Sequence, residues 1–456
     1  MRSIFFVLLV GVVYAGFYAW RSFPIIAGFG AKDLCSCMFV GGRNEADVKK
    51  EELGDFPFSL GRFEVNPKDS SVSGTVLGLA KRKAIYRPGL GCTLVNEFSE
   101  SVIRQQVHMF SAKPADNQDT IPWPNGDLVS DTIPSGLNFN ALNKAVDGAF
   151  KETDSTKKAR TRAVVVLFKG QLVAEKYAPG FDRHSSMHGW SMAKSITAAL
   201  VGILIKENKL RLLEPAPVEE WKAGDPRHAI TLQQLLQQTS GLDFREDYTG
   251  YSEVTNMLFN KGDMAGYTAG LSLKNSPGST FNYSSGNSNI LSRIIRQTVG
   301  EKEYYSFPSD KLFHKIGMRS ILLEPDAAGT FVGSSYVFAT ARDYARFGLL
   351  YYNNGKWKGE QLLPEGWVQE TIKYPAANKT KNYGYQFWLK GFDKHHPEKQ
   401  NFPDAPADLF YADGYAYQDI YIIPSKKLVV VRLGLTLDHS FDENGFLKSI
   451  FAAIEK

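Results

Sequence analysis

The sequence is poor in the residues that build metal centres and disulfide frameworks. It contains three cysteines among its 456 residues, at positions 35, 37 and 92. Three thiols without a matching fourth ligand fit structural zinc sites badly. If the protein is exported, a disulfide between Cys92 and either Cys35 or Cys37 is the better prediction, and it leaves one thiol free.

Motifs for metals or cofactors are also missing. His184 and His188 stand four residues apart, but no third ligand and no glutamate-containing zinc motif accompany them. We interpret them as surface or cleft histidines. The sequence therefore predicts an activity that needs neither a metal nor a cofactor.

Positive charge is present without being clustered. The net charge is +5 at pH 7, yet the lysines and arginines are scattered and form no stripe, which argues against a nucleic-acid partner. No repeats or low-complexity segments occur. A chain of this length with 43% hydrophobic residues can bury a large core, which predicts one catalytic domain with additions.

Long apolar runs are lacking except at the N-terminus. Residues 4–20, IFFVLLVGVVYAGFYAW, carry no charge and end at Arg21. Such a run lies between the length of a spanning helix, about 17–25 residues, and that of a signal-peptide core, about 7–15. No clean small-x-small cleavage site follows. We expect a signal anchor over residues 1–22 and an exported body tethered to the inner membrane, facing the periplasm or the extracellular side; a cleaved signal is the alternative.

The most informative motif lies in GWSMAKS, which begins at Gly189. Ser191 and Lys194 share a face of a helix, so the lysine ammonium can reach the serine hydroxyl. A lysine shielded from water can take the serine proton, which makes Ser-x-x-Lys a minimal acyl-transfer pair. In the alternative interpretation, Ser191 is only a helix cap and Lys194 is solvated. A second Ser-x-x-Lys at residues 155–158 lies in a charged polar run.

The residues around Ser191 favour the catalytic interpretation. SMAKSITAALVGILIKENKL has apolar residues at helical spacing and predicts one buried helix. Ser191 then lies at the N-terminus of this helix, where the dipole favours developing negative charge.

Two further elements follow in chain order. Residues 277–287 contain a Pro-Gly turn and a small-residue loop that would expose Tyr283. Residues 410–418 lead into a strand pair at 420–423 and 428–433. Three such elements in this order resemble the serine β-lactamase and penicillin-binding-protein superfamily, especially its class C, esterase and 6-aminohexanoate-dimer-hydrolase-like branch. The similarity covers residues 137–456.

The resemblance implies a role for each motif residue. Ser191 and Lys194 match the nucleophile and base of the superfamily, and Tyr283 matches the phenol that shuttles the proton. Ser285 stands where many β-lactamases have asparagine. Ala412 stands where they have the lysine or histidine that receives a carboxylate, so the departures favour esters and amides over β-lactams.

The remaining predicted site residues contact the substrate. We expect the backbone N–H groups of Ser191 and Tyr415 to stabilise the oxyanion, and Gly414 to allow a close approach of substrate to the strand. Ser285 is predicted to contact substrate as well. Tyr248 follows a Ser-Gly turn in a loop that, in amidase-like relatives, carries a tyrosine facing the scissile group, and the resemblance implies the same contact here. A surface aromatic without a role in the site is the alternative.

The predicted fold is α+β and β-lactamase/transpeptidase-like. It has an antiparallel sheet flanked by helices, a mainly helical insert, and an N-terminal membrane helix. A hairpin is expected at 163–168 and 172–177. We divide the chain into the signal anchor, an extension and linker over residues 23–136 with strands at 71–79 and 83–86, and a serine hydrolase domain over residues 137–456.

The sequence thus predicts an exported serine hydrolase that acts on a small-molecule ester or amide through an acyl-Ser191 intermediate. A β-lactamase or D,D-peptidase, and a catalytically silent relative that binds cell-wall peptides, are the alternatives. An α/β-hydrolase elbow around Ser191, with Asp438 and His439 as partners, is disfavoured because such an elbow must follow a buried strand. Residues 182–188 are polar.

Overall fold

A computed structural model describes residues 2–107, 117–132, 134–152, 154, 158–393, 396–438 and 440–454, with side chains from residue 16 onward. Three parts of the sequence predictions lie outside these residues. They are the start of the linker at 113–116, the second Ser-x-x-Lys at 155–157, and His439.

The helices of the described residues follow one another in chain order as Arg2–Phe39 (α1), Glu45–Glu51 (α2), Glu100–Gln105 (α3), Phe139–Gly148 (α4), Met192–Lys206 (α5), Leu232–Leu236 (α6), Glu253–Asn260 (α7), Met264–Ala269 (α8), Ser285–Val299 (α9), Glu301–Tyr304 (α10), Ala341–Tyr352 (α11), Trp367–Thr371 (α12) and Glu443–Phe451 (α13).

The strands are Gly61–Asn66 (β1), Ser71–Val76 (β2), Leu79–Arg87 (β3), Gly91–Leu94 (β4), Thr161–Phe168 (β5), Gln171–Tyr177 (β6), Met187–His188 (β7), Leu322–Leu323 (β8), Val337–Ala339 (β9), Lys356–Trp357 (β10), Glu360–Gln361 (β11), Trp388–Leu389 (β12), Phe410–Gly414 (β13), Gln418–Ile423 (β14) and Leu428–Gly434 (β15).

The chain divides into two compact units. One comprises residues 1–109, 244–270 and 324–331, and the other comprises 110–243, 271–323 and 332–456. The second unit contains the Ser-x-x-Lys motif and is called here the catalytic unit; the first is called the N-terminal unit. The predicted boundaries at residues 22 and 136 stay predictions.

The catalytic unit is built on a six-stranded sheet in the order β12-β13-β14-β15-β5-β6, in which every neighbouring pair is antiparallel. On one face, α4 and α13 pack on the sheet through side chains such as Leu142, Leu447 and Tyr421. On the other face, α11 lies so close that a β-carbon on Gly348 would meet Val429 at 2.6 Å. This is the α+β arrangement of antiparallel sheet and helices that the sequence predicts.

The N-terminal unit carries a second antiparallel sheet, in the order β1-β2-β3-β4. Helix α1 crosses it closely, because a β-carbon on Gly74 would lie 2.4 Å from the carbonyl oxygen of Ala27. A disulfide joins Cys35 of α1 to Cys92 of β4, and Cys37 is a buried thiol. The predicted pairing of Cys92 is therefore confirmed, with Cys35 as its partner.

One strand prediction in this unit is wrong. The sequence predicts a strand over 71–79, but β2 ends at Val76 and β3 begins at Leu79. Leu77 and Gly78 have φ of 50° and 75°. These left-handed conformations form the tight two-residue hairpin turn that glycine favours.

The predicted membrane segment falls in α1. This helix does not stop at Arg21 but continues to Phe39, and residues 25–37 are largely buried in the N-terminal unit. Residues 2–15, which make up most of the predicted anchor, lie outside the part of the chain whose side chains are described. Among the residues that it describes, no helix combines the length and the apolar character needed to cross a membrane.

Candidate active site

Ser191 lies in a tight turn at the start of α5. The preceding Trp190 has a left-handed φ of 47°, and Ser191 itself is already helical, with φ −66° and ψ −6°. Gly189 is required in this turn because a β-carbon there would lie 2.4 Å from the phenol oxygen of Tyr344. The Ser191 side chain makes no capping hydrogen bond to the backbone of α5. The alternative in which this hydroxyl only caps the helix is therefore not supported.

Lys194 lies one turn along α5 and is 1% exposed. Its Nζ donates to Ser191 Oγ at 2.9 Å, to Ser285 Oγ at 3.0 Å and to the carbonyl oxygen of Ser334 at 2.9 Å. An ammonium has three donors, and here each has an acceptor. The interpretation of Lys194 as a solvated lysine is therefore wrong, because this side chain is buried and holds the Ser191 hydroxyl.

Tyr283 lies beside this lysine, as predicted for the proton shuttle. Its ring centroid is 4.9 Å from Lys194 Nζ. The ring stacks on Trp388 at 5.1 Å and meets Tyr383 edge-on at 5.5 Å. Packing on two aromatic neighbours fixes the orientation of the ring, so the structure brings Ser191, Lys194 and Tyr283 into one cluster.

Ser285 is fully buried at the start of α9. The preceding Ser284 caps this helix by accepting a hydrogen bond from the N–H of Asn287. Ser285 therefore does not cap the helix, and its Oγ accepts a hydrogen bond from Lys194 Nζ. Its direct contact with substrate stays a prediction, whereas its contact with the predicted base is observed.

Gly414 ends β13 directly against the turn before Ser191. A β-carbon on Gly414 would lie 2.2 Å from the carbonyl oxygen of Gly189. Residue 414 must therefore be glycine because any side chain would collide with the backbone of Gly189. The sequence predicted only that glycine here would let substrate approach the strand. This contact places the strand end that carries Tyr415 beside the turn that carries Ser191, as a shared oxyanion hole needs.

The hairpin turn after Gly414 is held from within the protein. Ala416 and Tyr417 have left-handed φ values of 63° and 64°. Gln418 Nε2 donates to the carbonyl oxygens of Tyr415 and Ala416 at 3.1 Å. Buried Arg432 donates to the carbonyl oxygen of Tyr417 at 2.7 Å. These contacts preorganise the backbone at the second predicted oxyanion donor.

A cluster of carboxyl groups that was not predicted from the sequence lies at the same hairpin. Asp413 and Asp419 are direct cross-strand neighbours on β13 and β14. Burial raises the pKa of Asp413 to about 7, with the carboxylate of Glu443 adding to the shift. Burial and the same glutamate also raise the pKa of Asp419 well above its ordinary value. The sequence did hold a signal for this pair. Asp413 and Asp419 stand six residues apart across a hairpin, and residues paired across two strands lie on the same face of the sheet.

Ala412 is fully buried in β13. At this motif position many β-lactamases carry a cation, so the side chain here offers no charge to a substrate carboxylate. Burial of a methyl group instead contributes to packing between the sheet and its helices.

Tyr248 belongs to the N-terminal unit. Its side chain is 54% exposed, and its hydroxyl donates to Glu246 Oε1 at 2.9 Å. Tyr248 and Ser191 belong to different units, and the contact of Tyr248 with substrate stays a prediction.

The two histidines considered as a metal pair have other surroundings. His188 stacks on Trp190 at 3.9 Å and on Phe338 at 4.5 Å, and its Nε2 lies 3.0 Å from the carbonyl oxygen of Ser335. His184 is exposed beside Arg183. Within the described part of the chain, no three His, Cys, Asp or Glu side chains are grouped so that they could hold a metal ion.

The comparisons with known proteins agree with this geometry. Residues 146–443 match the family described as Beta-lactamase. The 6-aminohexanoate-dimer hydrolase of Paenarthrobacter ureafaciens is 28% identical over 263 residues, which cover 51% of this chain and 65% of that protein. Penicillin-binding protein 4* of Bacillus subtilis is 26% identical over 269 residues, which cover 55% of this chain and 50% of that protein. The aligned part of this chain therefore covers less than two thirds of the length of each of these two relatives.

Solved structures show the same fold. The structure of EstCE1, a hydrolase with promiscuous acyltransferase activity, aligns with 70% of this chain and 99% of its own, with a TM-score of 0.55 and 16% identity. At this level of identity the likeness concerns the fold alone.

Proposed function

Because the chain belongs to the β-lactamase family of serine hydrolases, we propose that it hydrolyses small-molecule esters or amides through an acyl-Ser191 intermediate. One observation carries the proposal above all others. The Nζ of buried Lys194 lies 2.9 Å from Ser191 Oγ, and a serine hydroxyl becomes a useful nucleophile only when a positioned base takes its proton.

In the reactive form Lys194 has given up one proton to solvent and is a neutral amine, the form that burial favours. As Ser191 Oγ attacks the substrate carbonyl carbon, the serine proton passes to this amine and is shared with Tyr283. The carbonyl oxygen takes up the electron pair as an oxyanion, which the N–H groups of Ser191 and Tyr415 stabilise. Collapse of this intermediate expels the alcohol or amine, which receives the proton through Tyr283. Water then attacks the acyl-enzyme by the same route and releases the acid.

We propose esters and linear amides in preference to β-lactams. The support is Ala412, which replaces the carboxylate-binding cation, and Ser285, which replaces the asparagine of many β-lactamases. The 6-aminohexanoate-dimer hydrolase among the relatives is consistent with amide substrates. A D,D-peptidase, a β-lactamase and a silent peptide-binding protein are the competing functions.

Two substrates separate these functions. We expect p-nitrophenyl butyrate to be accelerated more than nitrocefin when each kcat/KM is divided by the uncatalysed rate. A larger acceleration for nitrocefin would favour a β-lactamase. Penicillin labelling without turnover of either compound would favour the D,D-peptidase or the silent binding protein, and cleavage of a peptide ending in D-Ala-D-Ala would separate those two.

We also propose that the protein is exported and tethered by its N-terminus to the inner membrane. The apolar run at residues 4–20 supports the tether, and the Cys35–Cys92 disulfide supports an oxidising compartment. Deletion of Met1–Arg21 should release the protein into the soluble fraction, because the longest apolar run is removed. Recovery of the deleted form only with membranes would contradict the tether, and a reduced Cys35–Cys92 pair in the isolated protein would contradict export.

A further inference from the structure

Two aromatic side chains meet next to Ser191. The ring of Trp190, the residue directly before the nucleophile, contacts the ring of Tyr415 edge-on, with centroids 5.4 Å apart and an angle of 78°. Tyr415 also carries the second predicted oxyanion donor on its backbone. The two rings, called here the aromatic wall, therefore belong to the residue directly before the nucleophile and to the residue that carries the second predicted oxyanion donor.

The protein holds the Trp190 side of this wall in place. The left-handed backbone of Trp190 and the close approach of Gly414 to Gly189 fix the turn. Behind the indole, His188 and Phe338 continue the stack at 3.9 Å and 4.5 Å. Tyr415, by contrast, is 50% exposed as a residue. A half-exposed tyrosine beside a fixed ring offers apolar area that a ligand can cover.

The chemistry of the site assigns this wall to one part of the substrate. Tyr283 protonates the leaving group in the proposed reaction, so the leaving group lies on the side of Tyr283 and its stacking partner Trp388. The oxyanion lies between the N–H groups of Ser191 and Tyr415. The acyl chain is the remaining substituent of the carbonyl carbon, and the wall is the aromatic surface carried by the residues at the turn before Ser191 and at the Tyr415 N–H group.

We propose that Trp190 and Tyr415 form the acyl-binding site and that it prefers apolar acyl groups, aromatic ones most of all. The inference rests on the proposed function and names its substrate class. An aromatic acyl group gains ring contacts there. An acyl group that carries a carboxylate would lose its hydrating water there and would find no cation at Ala412 to pair with. Such desolvation of a charge costs free energy.

The test uses p-nitrophenyl esters that share a leaving group and differ in the acyl group. The esters are acetate, butyrate, phenylacetate and the monoester of glutaric acid. In the full-length protein we expect the highest kcat/KM for phenylacetate and the lowest for the glutarate monoester. In Tyr415→Ala the phenylacetate-to-acetate ratio of kcat/KM should fall about tenfold, the size of one aromatic contact.

Two variants serve as controls. Tyr415→Phe keeps the ring and should retain the wild-type ratio, as should Tyr374→Ala, which removes a comparably exposed tyrosine from the surface of the same unit. Trp190→Phe should lower the ratio less than Tyr415→Ala, because a smaller ring remains.

The outcomes distinguish this inference from the proposed function. If an acyl-enzyme forms on Ser191 but Tyr415→Ala lowers kcat/KM equally for all four esters, the wall does not bind the acyl chain and the inference is overturned. An unchanged ratio overturns it as well. If the wild-type protein hydrolyses none of the four esters faster than Ser191→Ala does, the proposed function itself fails.

Discussion

A hydrogen bond of 3.0 Å joins Lys194 Nζ to Ser285 Oγ, so the residue that replaces asparagine in the second motif acts on the predicted base. We predict that Ser285→Ala lowers kcat for p-nitrophenyl butyrate by about tenfold. The ammonium loses one of its three acceptors and is held less firmly toward Ser191. A buried hydrogen bond to a charged group contributes about 1.5–3 kcal/mol. A tenfold change in kcat corresponds to about 1.4 kcal/mol, so losing this hydrogen bond is enough to cause it.

Ser288→Ala is the matched control for this change. Ser288 lies one turn further along α9, is equally buried, and donates to Gln386 Oε1 at 2.6 Å instead of contacting Lys194. It should lose some stability without the specific loss of kcat. Equal losses of kcat in both variants would assign the effect to the packing of α9.

The proximity of Lys194 and Tyr283 leads to a prediction about coupling. Lys194→Ala and Tyr283→Phe should each lower kcat by about 10² or more, the usual scale for a positioned acid–base group. The double variant should be little worse than the poorer single variant, because residues that act as one unit show non-additive losses. The measurement is kcat for all four proteins at one pH.

Additive losses would contradict a shared proton path. A Tyr283→Phe variant with wild-type kcat would limit the tyrosine to its packing role against Trp388 and Lys194. Circular dichroism of each variant checks that the fold is retained.

The carboxyl groups of β13 and β14 predict an unusual pH dependence of stability. A raised carboxyl pKa means that the folded protein binds the proton more tightly than the unfolded chain does. Asp413 therefore contributes stability that is fully present below its unfolded pKa near 4 and is lost as pH rises through its folded pKa of about 7. We expect a higher Tm at pH 5.5 than at pH 8.

Asp413→Asn should reduce this difference in Tm, because one titrating group is removed. Asp419 and Glu443, whose pKa values are also raised, would retain part of it. Asp147→Asn, at an exposed position of α4, is the matched control and should preserve the full difference. A Tm that rises from pH 5.5 to pH 8 in the wild-type protein would contradict the prediction.

Patterns within short stretches of sequence predicted helices and strands that depend mainly on their own residues. The apolar residues at helical spacing after Ser191 correspond to α5, and the two runs around Lys169-Gly170 correspond to β5 and β6. The order of the three motifs predicted the clustering of Ser191, Lys194 and Tyr283. Those motifs carried enough residue-specific information to indicate the fold as well.

Features that depend on tertiary neighbours were not predictable in this way. The need for glycine at 414 arises from the carbonyl oxygen of Gly189, more than two hundred residues away in the chain. The contact between Trp190 and Tyr415 arises from the same approach. Similarly, the pairing of Cys92 with Cys35 rather than Cys37 depends on which side of α1 faces β4.

The central claim is that Ser191 forms the acyl-enzyme, and covalent labelling tests it most directly. Wild-type protein, Ser191→Ala and Ser195→Ala are treated with a fluorophosphonate, and the adduct is located by mass spectrometry. Ser195 is the matched control, because it lies on the same helix and its buried Oγ donates to the carbonyl oxygen of Gln386 at 2.6 Å. We predict one adduct on Ser191 in the wild type and in Ser195→Ala, and none in Ser191→Ala. A labelled Ser191→Ala variant that hydrolyses esters at the wild-type rate would contradict the account.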